Sequence, residues 1–230
     1  MFSSKYRIIE HDKICRRRDV KKARILDDIM NSDIAKIEET KNSIDRDAFK
    51  NAVDTILKAK KIYIIGIRSC APLAEFLHFY MNLICDHVVL VTTNTPSEVF
   101  EQMIHINEKD VVIGISFPRY SMSTLKALEF ASNQKAKVIT LTNSVHSPIN
   151  LYSSCNLIAK SEMVSVVDSL VAPLSVINAL VSALYMKRNQ EVLQRLEMLD
   201  KVWDDYQVYG SDELNQIEEA IVLKENEELS

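Results

Sequence analysis

The chain has 230 residues, 47% of them hydrophobic and 26% charged, with a formal net charge of -4. That length supports one substantial core, or a core with a small appendage, and the composition is that of an ordinary globular protein. The acidic balance excludes attraction of the whole molecule to nucleic acid and leaves that role to local basic clusters. Cys15, Cys70, Cys85 and Cys155 are widely scattered with no CxxC pair, which argues against a zinc site or a disulfide scaffold and predicts a reducing, cytoplasmic location. The polar N-terminus shows no secretory signal.

Residues 21–58 read as helix, with Ile25, Ile29, Ile34, Ile37 and Ile44 at apolar positions and Asn31-Ser32-Asp33 as a candidate cap for a fresh start. The cluster Arg16, Arg17, Arg18, Lys21, Lys22 and Arg24 reads as a solvated helix face. The period then changes. Lys61-Ile62-Tyr63-Ile64-Ile65-Gly66 is a short apolar run ending in glycine, as in a strand buried on both faces. Leu73, Phe76, Leu77, Tyr80, Met81 and Ile84 follow at helical spacing. Further strands are predicted at 87–91, 110–116, 137–141 and 155–159, and helices at 97–106, with Ser97 as cap, and 121–133. Regular alternation of strand and helix means parallel strands with crossover helices on both faces.

The stretch from Met163 to Met186 is long and apolar enough to raise a membrane span. Asp168, Pro173 and Asn178 interrupt it, so it is read as a core helix buried on all sides, and no membrane partner is expected. Its apolar surface exceeds what one sheet face can cover, which predicts a homodimer or homotetramer. Residues 189–206 form a charged amphipathic helix with Leu193, Leu196, Leu199 and Trp203, and an acidic tail follows.

Ligands of an open parallel sheet lie beyond the carboxyl ends of the strands, where helix N-termini offer free amides and positive potential. Three loops open there: Gly66-Ile67-Arg68-Ser69, Ser116-Phe117-Pro118-Arg119-Tyr120-Ser121 and Thr142-Asn143-Ser144. Each serine alone reads as a helix cap and each arginine alone as a partner for a surface acid. Together they predict an anion pocket built from Ser69, Ser116 and Ser121, with Arg68 and Arg119 adding charge and Thr142 and Asn143 closing a third side. Gly66 stands without a GxGxxG frame, no GxxxxGK[ST] is present, and no metal-ligand spacing occurs, so neither cofactor nor metal is expected.

These loops carry a resemblance. The Gly-x-x-Ser turn at Gly66 to Ser69 and the Ile115-Ser116 to Ser121 turn resemble the phosphate-binding loops of sugar isomerase (SIS) domains. Residues 142–148 and Asp168-Ser169-Leu170 are similar to RpiR-type transcriptional regulators, and the resemblance runs from Ile29 to Tyr209. It implies a five-stranded parallel sheet flanked by helices, a flavodoxin-like three-layer sandwich that binds a sugar phosphate and dimerises. SIS loops usually carry a second glycine where this chain has Arg68, and a serine-glycine pair where it has Pro118 and Arg119. The residues before Ile29 are too few for the helix-turn-helix of such regulators. The organisation expected is therefore a helical remnant or linker over 1–45, an SIS domain over 46–209 and a tail over 210–230. DNA would be reached only through a helix-turn-helix absent from this chain.

The rival reading is an aldose–ketose isomerase, which needs a base within about 3 Å of the migrating proton. Glu129 lies too far along its helix, leaving Glu98 and Glu101 as candidate acids and His105 and His146 as candidate histidines. Glu98, near a helix start, also serves the dipole. No catalytic residue is assigned.

Overall fold

Short runs buried on both faces, joined by amphipathic helices, pack best as a parallel sheet with helices on each side. The computed structural model describes residues 24–92, 95–161, 168–206 and 208. Strands β1 (Ile62–Gly66), β2 (Val88–Leu90), β3 (Val111–Ile115), β4 (Lys137–Thr142) and β5 (Cys155–Ile158) form one parallel sheet in the order β2-β1-β3-β4-β5. The register pairs Gly66 with Ile115 and Ile115 with Leu141, so β1, β3 and β4 end level. From β1 the chain passes to β2 on one side and to β3 on the other, which makes the β1/β3 edge the topological switch point.

Every residue of β1 and β3 is buried, and successive side chains enter opposite layers. Tyr63, Ile65, Val112 and Val138 pack with Val99 and Met103 of α4 (Pro96–Met103) and with Ala127, Leu128 and Ala131 of α5 (Met122–Asn133). In the other layer α3 (Ala71–Ile84) lies against β1, and α2 (Arg46–Lys58) against β5. Helix α6 (Val171–Lys187) contacts both α2 and α3, and α1 (Ile25–Ser43) packs on α6. Fully burying a side chain such as Ile56 or Leu77 contributes about 1.5–3 kcal/mol. Among the described residues no helix is long and apolar enough to cross a membrane.

Several local expectations are corrected. No helix starts at Asn31 to Asp33: α1 runs through them, with Lys36 Nζ 2.8 Å from Ser32 Oγ and 3.7 Å from Asp33 Oδ1. The chain instead breaks at Ile44 and restarts at Asp45, whose carboxylate accepts from the Asp47 and Ala48 amides at 2.9 Å. Helix α4 is capped by Thr95, not Ser97. Its Pro96 sits at the first helical position and the Glu98 carboxylate accepts from the Thr95 amide at 3.4 Å, closing a capping box. Helix α6 is not buried on all sides. It buries Ala172, Pro173, Val176, Ile177, Leu180 and Leu184 along one stripe and leaves Met186 77% exposed.

The chain divides into two compact units after Lys187. In the second, α7 (Asn189–Asp205) is the expected charged helix, with Leu196, Leu199 and Trp203 half-buried and Leu193 exposed. Arg16, Arg17, Arg18, Lys21 and Lys22, residues 163–167 of the apolar stretch and the tail 210–230 lie outside the described residues.

Candidate functional site

The first loop is shaped by its glycine. A Cβ on Gly66 would stand 2.6 Å from the Cys70 carbonyl oxygen and 2.9 Å from Ala74 Cβ, so only glycine lets the chain fold back this closely on the strand end. Ile67 is extended, and Arg68 to Cys70 form one 3-10 turn with the Cys70 amide on the Ile67 carbonyl at 3.3 Å. That turn runs straight into α3. Arg68 has φ 61, a left-handed conformation that costs an L-residue about 1–2 kcal/mol.

The second loop leaves β3 through Ser116 and Phe117, both buried. Arg119 has φ 69. The Ser121 amide donates to Ser116 Oγ at 3.3 Å, and Ser121 Oγ caps α5 by accepting from the Thr124 amide at 3.3 Å. Arg68 and Arg119 thus occupy the left-handed positions where the resembling loops carry glycine. The two arginines are accommodated by strained backbone.

Ser69, Ser116, Ser121, Arg68 and Arg119 line one cleft of about 140 Å³, together with Ile67, Cys70, Phe117 and Pro118. It lies at the β1/β3 switch point, where α3 and α5 both begin. Among the described residues no acid and no histidine line it. Ile67 and Arg68 also line a larger neighbouring hollow of about 380 Å³, which Glu75, Glu98 and Gln102 border. Among the described residues Arg68 makes no ion pair.

The third loop does not join the lining. Thr142 is fully buried and donates to Ser147 Oγ at 3.0 Å, while Asn143 Oδ1 accepts from the Tyr120 hydroxyl at 2.8 Å. Asn143 therefore steadies the second loop from behind. The rival acid Glu98 is engaged in its capping box, and Glu101, His105 and His146 are exposed outside the cleft.

Asp168 is the residue sequence reasoning missed. Its Oδ2 accepts from Arg119 Nη2 at 2.8 Å, with the carboxylate side chain 6% and the arginine side chain 44% exposed. Arg119 is thus paired, though with a buried acid rather than a surface one. A guanidinium has five donors, so the pairing leaves others for a ligand. Burial pushes the Cys70 thiol above its ordinary value, the Phe117 backbone and the Ser69 hydroxyl oppose that, and the nearby Asp168 charge adds to it. Cys70 is a neutral wall of the cleft at neutral pH.

A parallel sandwich with a cleft at its switch point is the architecture of a ligand-binding α/β domain. The SIS domain model matches residues 55–183, more than half of the chain, and the chain belongs to that family. An HTH-type transcriptional regulator of Haemophilus influenzae is 28% identical over 117 residues, covering 51% of this chain and 40% of the relative. The chain spans less than half the length of the curated relatives it matches. The sugar isomerase domain of an RpiR transcription factor from Sphaerobacter thermophilus superposes with TM-score 0.74 at 24% identity, over 77% of this chain and 99% of that one. The Vibrio vulnificus NanR protein, complexed with ManNAc-6P, gives TM-score 0.72 at 18% identity over 89% and 76%. Solved isomerases share the fold as well, a Francisella tularensis phosphoheptose isomerase with TM-score 0.63 at 17% identity over 73% of this chain and 100% of that one.

Proposed function

We propose that this SIS domain binds a phosphorylated sugar, or a similarly acidic sugar derivative, as the sensor part of a transcriptional regulator. The observation that carries the reading is the convergence of Ser69, Ser116 and Ser121 with Arg68 and Arg119 in one cleft. Hydroxyls and helix N-terminal amides suit phosphoryl oxygens, and guanidinium forks add charge-assisted donors. Relatives named as HTH-type regulators support the sensing role, and NanR is known with a sugar phosphate bound. In this reading DNA contact belongs to a helix-turn-helix segment and not to the sheet.

The isomerase reading is the weaker one because no acid or histidine is among the described residues that line the cleft, and the neighbouring Asp168 carboxylate is engaged by Arg119. Self-association is part of the proposal. Leu26, Met30 and Ile34 on α1 are 68, 58 and 55% exposed, and α1 and α6 border an apolar groove of about 320 Å³.

The test is a thermal-shift screen of hexose, aminohexose and N-acetylaminohexose phosphates against the same sugars without phosphate. A ligand at 100 times its Kd adds about 2.7 kcal/mol, or roughly 5–10 °C in Tm for a chain this size. At least one phosphorylated sugar is expected to give such a shift while its free sugar gives none. Equal shifts from phosphorylated and free sugars, or none at all, would overturn the proposal.

A further inference from the structure

We propose that Asp168 selects the ligand: the cleft takes an anion with a hydroxyl or amine beside its charged group, and the Asp168 carboxylate receives that donor. This rests on the cleft reading above and narrows what the cleft accepts.

Asp168 is an incompletely satisfied acid. Its Oδ2 holds Arg119 at 2.8 Å, while its Oδ1 is buried and has no hydrogen-bond partner among the described residues. An ionised carboxylate has about four acceptor positions, and a buried oxygen without a donor is costly. The acid has little freedom to turn toward water. The hydroxyl of the next residue, Ser169, donates to Asp33 on α1, and the Leu174 amide starts α6 on the Leu170 carbonyl at 2.9 Å. The segment that follows Asp168 is thus tied down on its C-terminal side.

Its place relative to the cleft follows from its neighbours. Arg119 and Cys70 both line the cleft. One is bonded to Asp168, and the other is close enough for the carboxylate charge to oppose thiolate formation. Asp168 is not itself a lining residue; it stands behind the lining, bonded to Arg119 and near Cys70.

A bare anion arriving at the serines competes with Asp168 for Arg119 and brings no donor of its own for the carboxylate. A ligand bearing an adjacent O–H or N–H changes that balance. As the Arg119 side chain swings toward the anion, the donor takes up the carboxylate oxygen, and Arg119 then bridges acid and anion. The same arrangement that disfavours simple phosphate favours a phosphorylated polyol or amino sugar.

Calorimetry on the full chain tests this with two probes. One is the tightest-binding sugar phosphate from the screen. The other is ethyl phosphate at about pH 8, a dianion without a hydrogen-bond donor. Wild type is expected to prefer the sugar phosphate by at least tenfold. Asp168→Ala should weaken the sugar phosphate about 10- to 150-fold while leaving ethyl phosphate unchanged or tighter, because a negative charge is gone and Arg119 is released. Asp168→Asn keeps the shape and one acceptor oxygen, and should retain part of the preference; it serves as the readout if the alanine variant does not fold. A merely structural role would weaken both probes by the same factor in either variant, and that result overturns the inference while leaving the cleft reading intact. Failure of every probe to bind wild type overturns both.

Discussion

Arg68 and Arg119 share a backbone conformation but not a fate, and replacing each with glycine separates strain from pairing. Their φ values are 61 and 69. A left-handed L-residue costs about 1–2 kcal/mol, and glycine returns about 0.5–1 kcal/mol of that in lost chain entropy. Arg68 has no ion pair among the described residues, so Arg68→Gly should stabilise the fold by about 0.5–1 kcal/mol, or roughly 1–4 °C in Tm. Arg119→Gly gains the same relief but strands the Asp168 carboxylate, which is 94% buried by its 6% side-chain exposure. Leaving a buried charged acceptor unpaired costs about 1–3 kcal/mol or more. The fully buried figure of about 3–5 kcal/mol is discounted here because the Arg119 side chain is 44% exposed. The net effect is a loss of about 0.5–2 kcal/mol, seen as a lower Tm. Circular-dichroism melts of the two variants are the assay. Tm changes of the same sign and size would refute the reasoning, because the Arg119–Asp168 pair would then contribute nothing. Both variants should bind the sugar phosphate less tightly, so Arg68→Gly is expected to gain stability and lose affinity together.

Gly66→Ala should cost about 1–3 kcal/mol by overpacking, since the added Cβ meets the Cys70 backbone carbonyl at 2.6 Å; an unchanged urea midpoint would mean that the first loop yields freely. Burial holds the Cys70 and Cys155 thiols above their ordinary 9.0, so the folded chain keeps these protons where the unfolded chain loses them. Their contribution to stability is then full below about pH 9.0 and falls as pH rises through the folded values. Cys70→Ala with Cys155→Ala should flatten the decline above about pH 9.0. Sedimentation at micromolar concentration should give an even oligomer, and a monomer there would remove the self-association proposal.

The sheet was legible because β1 and β3 are buried on both faces, so their sequences are almost unbroken apolar runs that no surface element resembles. The loops after them were legible for the same reason: glycine, hydroxyls and arginines stand out directly behind such runs. The left-handed backbone at Arg68 and Arg119, the positions where the resembling loops carry glycine, came only with the structure. What stayed hidden depends on tertiary approach. Asp168 lies 49 residues from Arg119, and no local pattern couples them. Thr142 looked like its neighbours in sequence, but its hydroxyl turns inward to Ser147. The helix caps were misplaced, one by about a dozen residues and one by two, because Asn31 to Asp33, Asp45, Thr95 and Ser97 are all competent caps, and packing chooses among them.

Ser69 is exposed, lines the cleft and caps no helix by its side chain, so its removal disturbs binding more cleanly than that of Ser116 or Ser121. Calorimetric titration of wild type and Ser69→Ala with the sugar phosphate that gives the largest thermal shift is the most direct test of the cleft. Loss of one hydrogen bond to a charged group costs about 1.5–3 kcal/mol, so the variant should bind about 10- to 150-fold more weakly. Equal affinity in the two proteins would place the ligand elsewhere and contradict the account.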